Sequence, residues 1–134
     1  MAVTDQLDTR AIYEGAVVAA VIAVPAGVFG RILSDRQNKP DWLWVLVLIV
    51  LAGLVLGAGV AAWRQDRGLP LTHGVVTAVG VFVVVQAIGV VIRLLSGDGI
   101  SWSRVASSLL LSLMAGMVGG LLGSFALSHG SGEQ

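Results

Sequence analysis

Apolar residues run in four long blocks separated by short polar links, and that alternation sets every expectation below. The clearest block is Trp42–Trp63, WLWVLVLIVLAGLVLGAGVAAW, which holds no charge and no Asn, Gln, His or Pro between its flanking tryptophans. As a helix it reaches about 33 Å at ~1.5 Å per residue, the thickness of a bilayer's hydrocarbon core. Tryptophan at both ends suits the headgroup level, where an indole keeps its N–H wet and its ring dry. With the three comparable blocks around it, spans are expected at about 11–33, 42–63, 71–95 and 102–127. Helices are expected because a helix closes its backbone hydrogen bonds within one segment, whereas lone strands leave N–H and C=O groups bare in lipid. Short links make sequential helices run antiparallel. The predicted fold is therefore all-α, an antiparallel bundle of four transmembrane helices over 11–127. A polar segment, 1–10, precedes it, and a short, small and polar tail, 128–134, is expected to be disordered.

Within the blocks, a few residues punctuate the pattern. Pro25 stands near the middle of the first span, where it cannot donate to the Val21 carbonyl and should kink the helix. Arg64-Gln65-Asp66-Arg67 followed by Gly68 and Pro70 reads as a stop and a tight turn, and Gly97-Asp98-Gly99 as a second turn. The first hairpin is echoed in the second. Gly15-Ala-Val-Val aligns with Gly74-Val-Val-Thr, Arg31-Ile-Leu-Ser with Arg93-Leu-Leu-Ser, and Leu51-Ala-Gly-Leu-Val with Met114-Ala-Gly-Met-Val. Two duplicated hairpins of shared orientation would give this, as in parallel repeats. Chance recurrence among Gly, Ala, Val and Leu would give it too.

Composition sharpens the picture. The chain is 56% hydrophobic and 12% charged over 134 residues, against roughly 45–50% and about 25% in soluble domains. Its net charge is zero, so no nucleic-acid footprint is expected. There is no cysteine, and His73 and His129 lie far apart, so neither a metal nor any other cofactor is expected. Arg31, Arg36, Lys39, Arg93 and Arg104 fall on one side of the membrane, and Arg10, Arg64 and Arg67 on the other. That bias places the links around 34–41 and 96–101 in the cytoplasm and both termini outside a plasma membrane.

The strongest functional signal is steric. Ser108, Ser112, Gly116, Gly120 and Ser124 recur at i+4 in the fourth block, and Gly53, Gly57 and Ala61 do so in the second. In lipid, apolar side chains gain little by meeting each other rather than acyl tails, so close backbone approach drives helix association. These rows are expected to be helix-packing faces, either within the bundle or between copies. Gln86 is the one strongly polar residue deep in the third block and should seek a partner, such as a serine of the fourth helix or the carbonyl freed by Pro25. Glu14 and His73 begin helices 1 and 3 on the same side and would make a proton site if they met; interfacial water can equally satisfy them. No grouping of residues supports catalysis, so the chain is expected not to be an enzyme.

Size, span spacing and Gly/Ala-rich helices give the chain a resemblance to small four-helix bacterial integral membrane proteins. That resemblance implies a multi-pass membrane protein; the small-residue rows add the expectation that its partners are the bilayer and a second membrane chain, either another copy or a different protein. In length and span number it is also similar to the small multidrug resistance transporters, whose helix 1 glutamate would correspond to Glu14. Here Glu14 stands at the helix entrance with Tyr13 as its aromatic neighbour, rather than at mid-depth. The expected role is that of a non-enzymatic accessory or scaffold subunit acting through helix–helix association; the alternative is a small homo-oligomeric transporter or channel.

Overall fold

A computed structural model describes residues 6–34, 40–97 and 99–130. These form four helices and no strand: α1 (Thr9–Ser34), α2 (Leu43–Arg64), α3 (Pro70–Ser96) and α4 (Trp102–Gly130). Each is long and apolar enough to cross a membrane. α1 starts two residues before the hydropathy-based limit of 11 because Asp8 caps it, its Oδ1 accepting the N–H groups of Arg10 and Ala11 at 3.1 and 3.2 Å. α3 begins on Pro70, whose missing N–H is no loss in a first turn. It ends at Gly97, which takes a left-handed φ of 73° and donates to the Arg93 and Leu94 carbonyls. α4 runs past the expected limit of 127 to Gly130; the Ser128 hydroxyl and His129 Nδ1 both lie within hydrogen-bond distance of the Phe125 carbonyl. The remainder of the expected tail, 131–134, lies outside the described residues. Pro25 sits inside an uninterrupted α1.

Small residues let the helices meet backbone to backbone. A methyl placed on Gly15 would strike the Gly57 carbonyl, and one on Gly57 the Gly15 carbonyl; further along, Gly53 lies against Ile22 and Ala23. Numbers thus rise along α1 as they fall along α2. Gly119 and Gly123 approach α2 at Val55, Ala58 and Ala62, while Gly116 and Gly120 approach α3 at Gly74, Val75 and Leu71. α2 packs against each of the other three helices and α1 also meets α3, but α1 and α4 do not touch.

Burial is confined to one half of the bundle. In α1 the buried positions run from Ala11 to Ala26, in α2 from Gly53 to Ala62, in α3 from His73 to Val81 and in α4 from Ser112 to Gly123. No residue of 27–34, 43–52, 82–96 or 102–111 is buried. The helices are close-packed at the end near Asp8 and splayed at the end near Arg31, and Pro25 stands beside Ala26, the last buried position of α1. Large apolar side chains such as Val21, Val84, Leu110 and Met117 cover the outside, as expected of a surface facing lipid rather than water.

Candidate functional site

Two groups of polar residues emerge, one at each end. At the closed end, His73 is fully buried. Its Nε2 accepts the backbone N–H of Asp8 at 2.8 Å, so the ring proton sits on Nδ1 and donates to the Leu69 carbonyl at 2.7 Å. The imidazole thereby ties the chain before α1 to the α2–α3 turn. Gln65, 4% exposed, shapes that turn from within, its Oε1 accepting the N–H groups of Arg67 and Leu69 at 2.8 and 3.1 Å. Gly68 supplies the turn's positive φ of 72°. The N–H of Ala11, followed by those of Arg10 and Asp66, holds the Asp8 carboxyl below the usual carboxylate range.

Glu14 is taken up by arginines: Oε1 lies 3.2 Å from Arg10 Nε and Oε2 lies 3.0 Å from Arg64 Nη1. Glu14 and His73 thus share one end of the bundle but are served by different partners, and no hydrogen bond joins them among the described residues. The arrangement is an interlock: Asp8 N–H to His73 joins the start of α1 to α3, and Glu14 to Arg64 joins α1 to α2. Further in, the Thr77 hydroxyl is buried without a partner among the described residues. Gln65 was not singled out by sequence reasoning, since a glutamine beside Arg64, Asp66 and Arg67 reads as part of a solvated link.

The open end holds the second group. A cavity of about 280 Å³ opens between α1, α3 and α4, its wall including Gly27, Arg31, Gln86, Arg93, Arg104 and Ser108. A second cavity of about 210 Å³ lies deeper, between all four helices, and shares Ala23, Gly27, Val85, Gln86 and Ser108 with the first. Gln86 therefore faces the junction of both, and neither a helix 4 serine nor a carbonyl near Pro25 bonds its amide. On the other flank of α1, Gly27, Gly30, Leu46 and Val47 line a groove of about 270 Å³ against α2. A methyl on Gly27 would meet nothing within 4 Å, unlike those on Gly53 and Gly57.

The remaining small-residue positions divide between the halves. Gly53, Gly57, Ala61, Ser112, Gly116 and Gly120 are buried between helices. Ser108 lines the cavities, and the Ser124 hydroxyl bonds its own helix at the Leu121 carbonyl. Among the described residues no three His, Asp or Glu gather in a way that could hold a metal ion.

Four long apolar helices, tight at one end and open at the other, fit the class of multi-pass helical membrane proteins. Comparison with protein-family models, with curated proteins and with solved structures finds no match.

Proposed function

We propose that the chain is a multi-pass protein of the plasma membrane, an antiparallel four-helix bundle that works without catalysis, as an accessory subunit or scaffold, through helix–helix association. The carrying observation is the uneven burial. One half of the bundle is complete in itself, while the other leaves an unfilled groove along α1 and α2, where Gly27 has open space above it. A bare glycine beside an apolar groove allows another helix's backbone to come close, which is what favours association in lipid. The occupant is a transmembrane helix of a different protein. The small-residue rows of α2 and α4 are already occupied inside the chain, which argues against pairing between copies. The orientation that puts the arginine-rich open end in the cytoplasm and both termini outside follows the charge bias.

A photo-reactive side chain at Val47 in native membranes tests this. A protein-sized adduct that is lost in Gly27→Leu supports the reading. A strictly monomeric chain giving lipid adducts alone overturns it.

Duplication of the hairpin is supported by one correspondence: Gly15 meets Gly57, and its aligned counterpart Gly74 meets Gly120, the counterpart of Gly57. The copies are not equivalent in the bundle, since α2 touches α3 but α4 does not touch α1.

The transporter reading keeps one specific support, the Gln86 amide facing the junction of two cavities. Reconstituted flux that persists unchanged in Glu14→Gln and Gln86→Leu would remove it.

A further inference from the structure

The cavity between α1, α3 and α4 joins residues that are far apart in sequence. Arg31 ends α1, Arg93 ends α3 and Arg104 begins α4, yet all three line this one space. Arg31 and Arg93 are half-buried. Neither they nor Arg104 pair with a carboxylate among the described residues, in contrast to Arg10 and Arg64 at the opposite end. Among the described residues no acid lines the cavity. Behind the arginines the wall turns apolar, through Val24, Val28, Val85, Ile88 and Ile92. With the deeper cavity it adjoins, the space falls in the range of small-molecule sites, roughly 300–1,000 Å³. Its lining bridges α1 and α4, helices whose backbones do not come close to each other.

From this arrangement we infer that the crevice is a binding site for one anionic phospholipid, its phosphate held by Arg31, Arg93 and Arg104 and an acyl chain lying along Val28, Val85 and Ile88. Three guanidinium groups lining one space favour an anion there, and the planar fork of arginine matches phosphate oxygens two at a time. The apolar wall selects the source of that phosphate, because a free phosphate ion gains nothing from it whereas an acyl chain fills it. Ser108, one turn along α4 from Arg104, lies near the charged mouth, where an ester oxygen of a lipid would find a donor. This inference rests on membrane insertion alone and is separate from the partner helix proposed at the α1–α2 groove.

The test is native mass spectrometry of the full chain in mild detergent, with phosphatidylglycerol or phosphatidylcholine of identical acyl chains. The chain is expected to retain phosphatidylglycerol preferentially. Retention should fall by roughly fivefold per arginine removed and about a hundredfold in Arg31→Gln/Arg93→Gln/Arg104→Gln, circular dichroism remaining unchanged. Val85→Trp keeps all three charges but fills the crevice, and it too should lower retention. Equal retention of the two lipids by the unaltered chain would overturn the site, as would Val85→Trp binding phosphatidylglycerol undiminished. Full displacement by inorganic phosphate would assign the arginines to a soluble anion and overturn the lipid. A protein adduct from Val47 bears on the accessory role and leaves these readouts untouched.

Discussion

Gly57→Ala adds one methyl group at the tightest crossing of α1 and α2. That methyl would lie 2.6 Å from the Ala19 Cβ and 2.9 Å from the Ala19 nitrogen, and would run into the Gly15 carbonyl. Carbons in favourable contact sit about 3.5–4.0 Å apart, so the two helices must separate by ~1 Å. Overpacking of this kind costs about 1–3 kcal/mol. Alanine also stabilises a helix by roughly 0.8–1.0 kcal/mol over glycine, which masks part of the collision if the variant is measured by itself. Gly27→Ala corrects for this: it makes the same change in the same bundle, where the added methyl has open space around it. The difference between the two variants isolates the steric term. Denaturation by sodium dodecyl sulfate in mixed micelles, followed by fluorescence of the four tryptophans, measures both. Gly57→Ala should be less stable than Gly27→Ala by about 1–3 kcal/mol. Equal stabilities would refute the claim that backbone approach at Gly57 holds these helices together.

Further outcomes are expected at the closed end. His73→Ala removes the acceptor for the Asp8 N–H and the donor to the Leu69 carbonyl; a loss of about 1–3 kcal/mol in the same titration is expected, with faster hydrogen exchange at Asp8. Gln65→Leu strips two N–H groups of their acceptor and should cost about 2 kcal/mol, whereas a neutral result would mean that water replaces the amide. The folded state depresses the pKa of Asp8, so its stabilising contribution is present above the unfolded pKa and disappears as pH falls through the lower folded value. An acid limb below about pH 4 is therefore expected in the unaltered chain and should flatten in Asp8→Asn, which retains a capping oxygen. Glu14→Gln breaks two partly exposed ion pairs and should change stability by less than about 1 kcal/mol.

The four helices are readable from the sequence because each is a long, mainly apolar block of the length a membrane span requires, and the turns betray themselves through Gly68, Pro70 and Gly97. The i+4 spacing of Gly53 and Gly57, or of Ser112, Gly116 and Gly120, is equally visible. Which helix each row meets is not, since glycine carries no side chain to specify a partner. Gln65 and His73 illustrate a different limit. Both look like ordinary interfacial polar residues; His73 becomes structural because the Asp8 N–H reaches its ring, and Gln65 because the turn after α2 folds back onto its amide oxygen. The cavity joining Arg31, Arg93 and Arg104 was illegible for a similar reason. Alignment of the hairpins pairs Arg31 with Arg93, but only the absence of contact between α1 and α4 brings Arg104 into the same space.

The account stands on four helices crossing a bilayer, and spin labelling tests that most directly, since the chain has no cysteine to interfere. Nitroxides placed singly at Val84 and Val118, both exposed on their helices, are read in liposomes for collision with dissolved oxygen and with a water-soluble nickel chelate. The account predicts high oxygen and low chelate accessibility at both positions, with the reverse at Arg67 in the α2–α3 turn. Chelate reaching Val84 and Val118 as freely as Arg67 would contradict it.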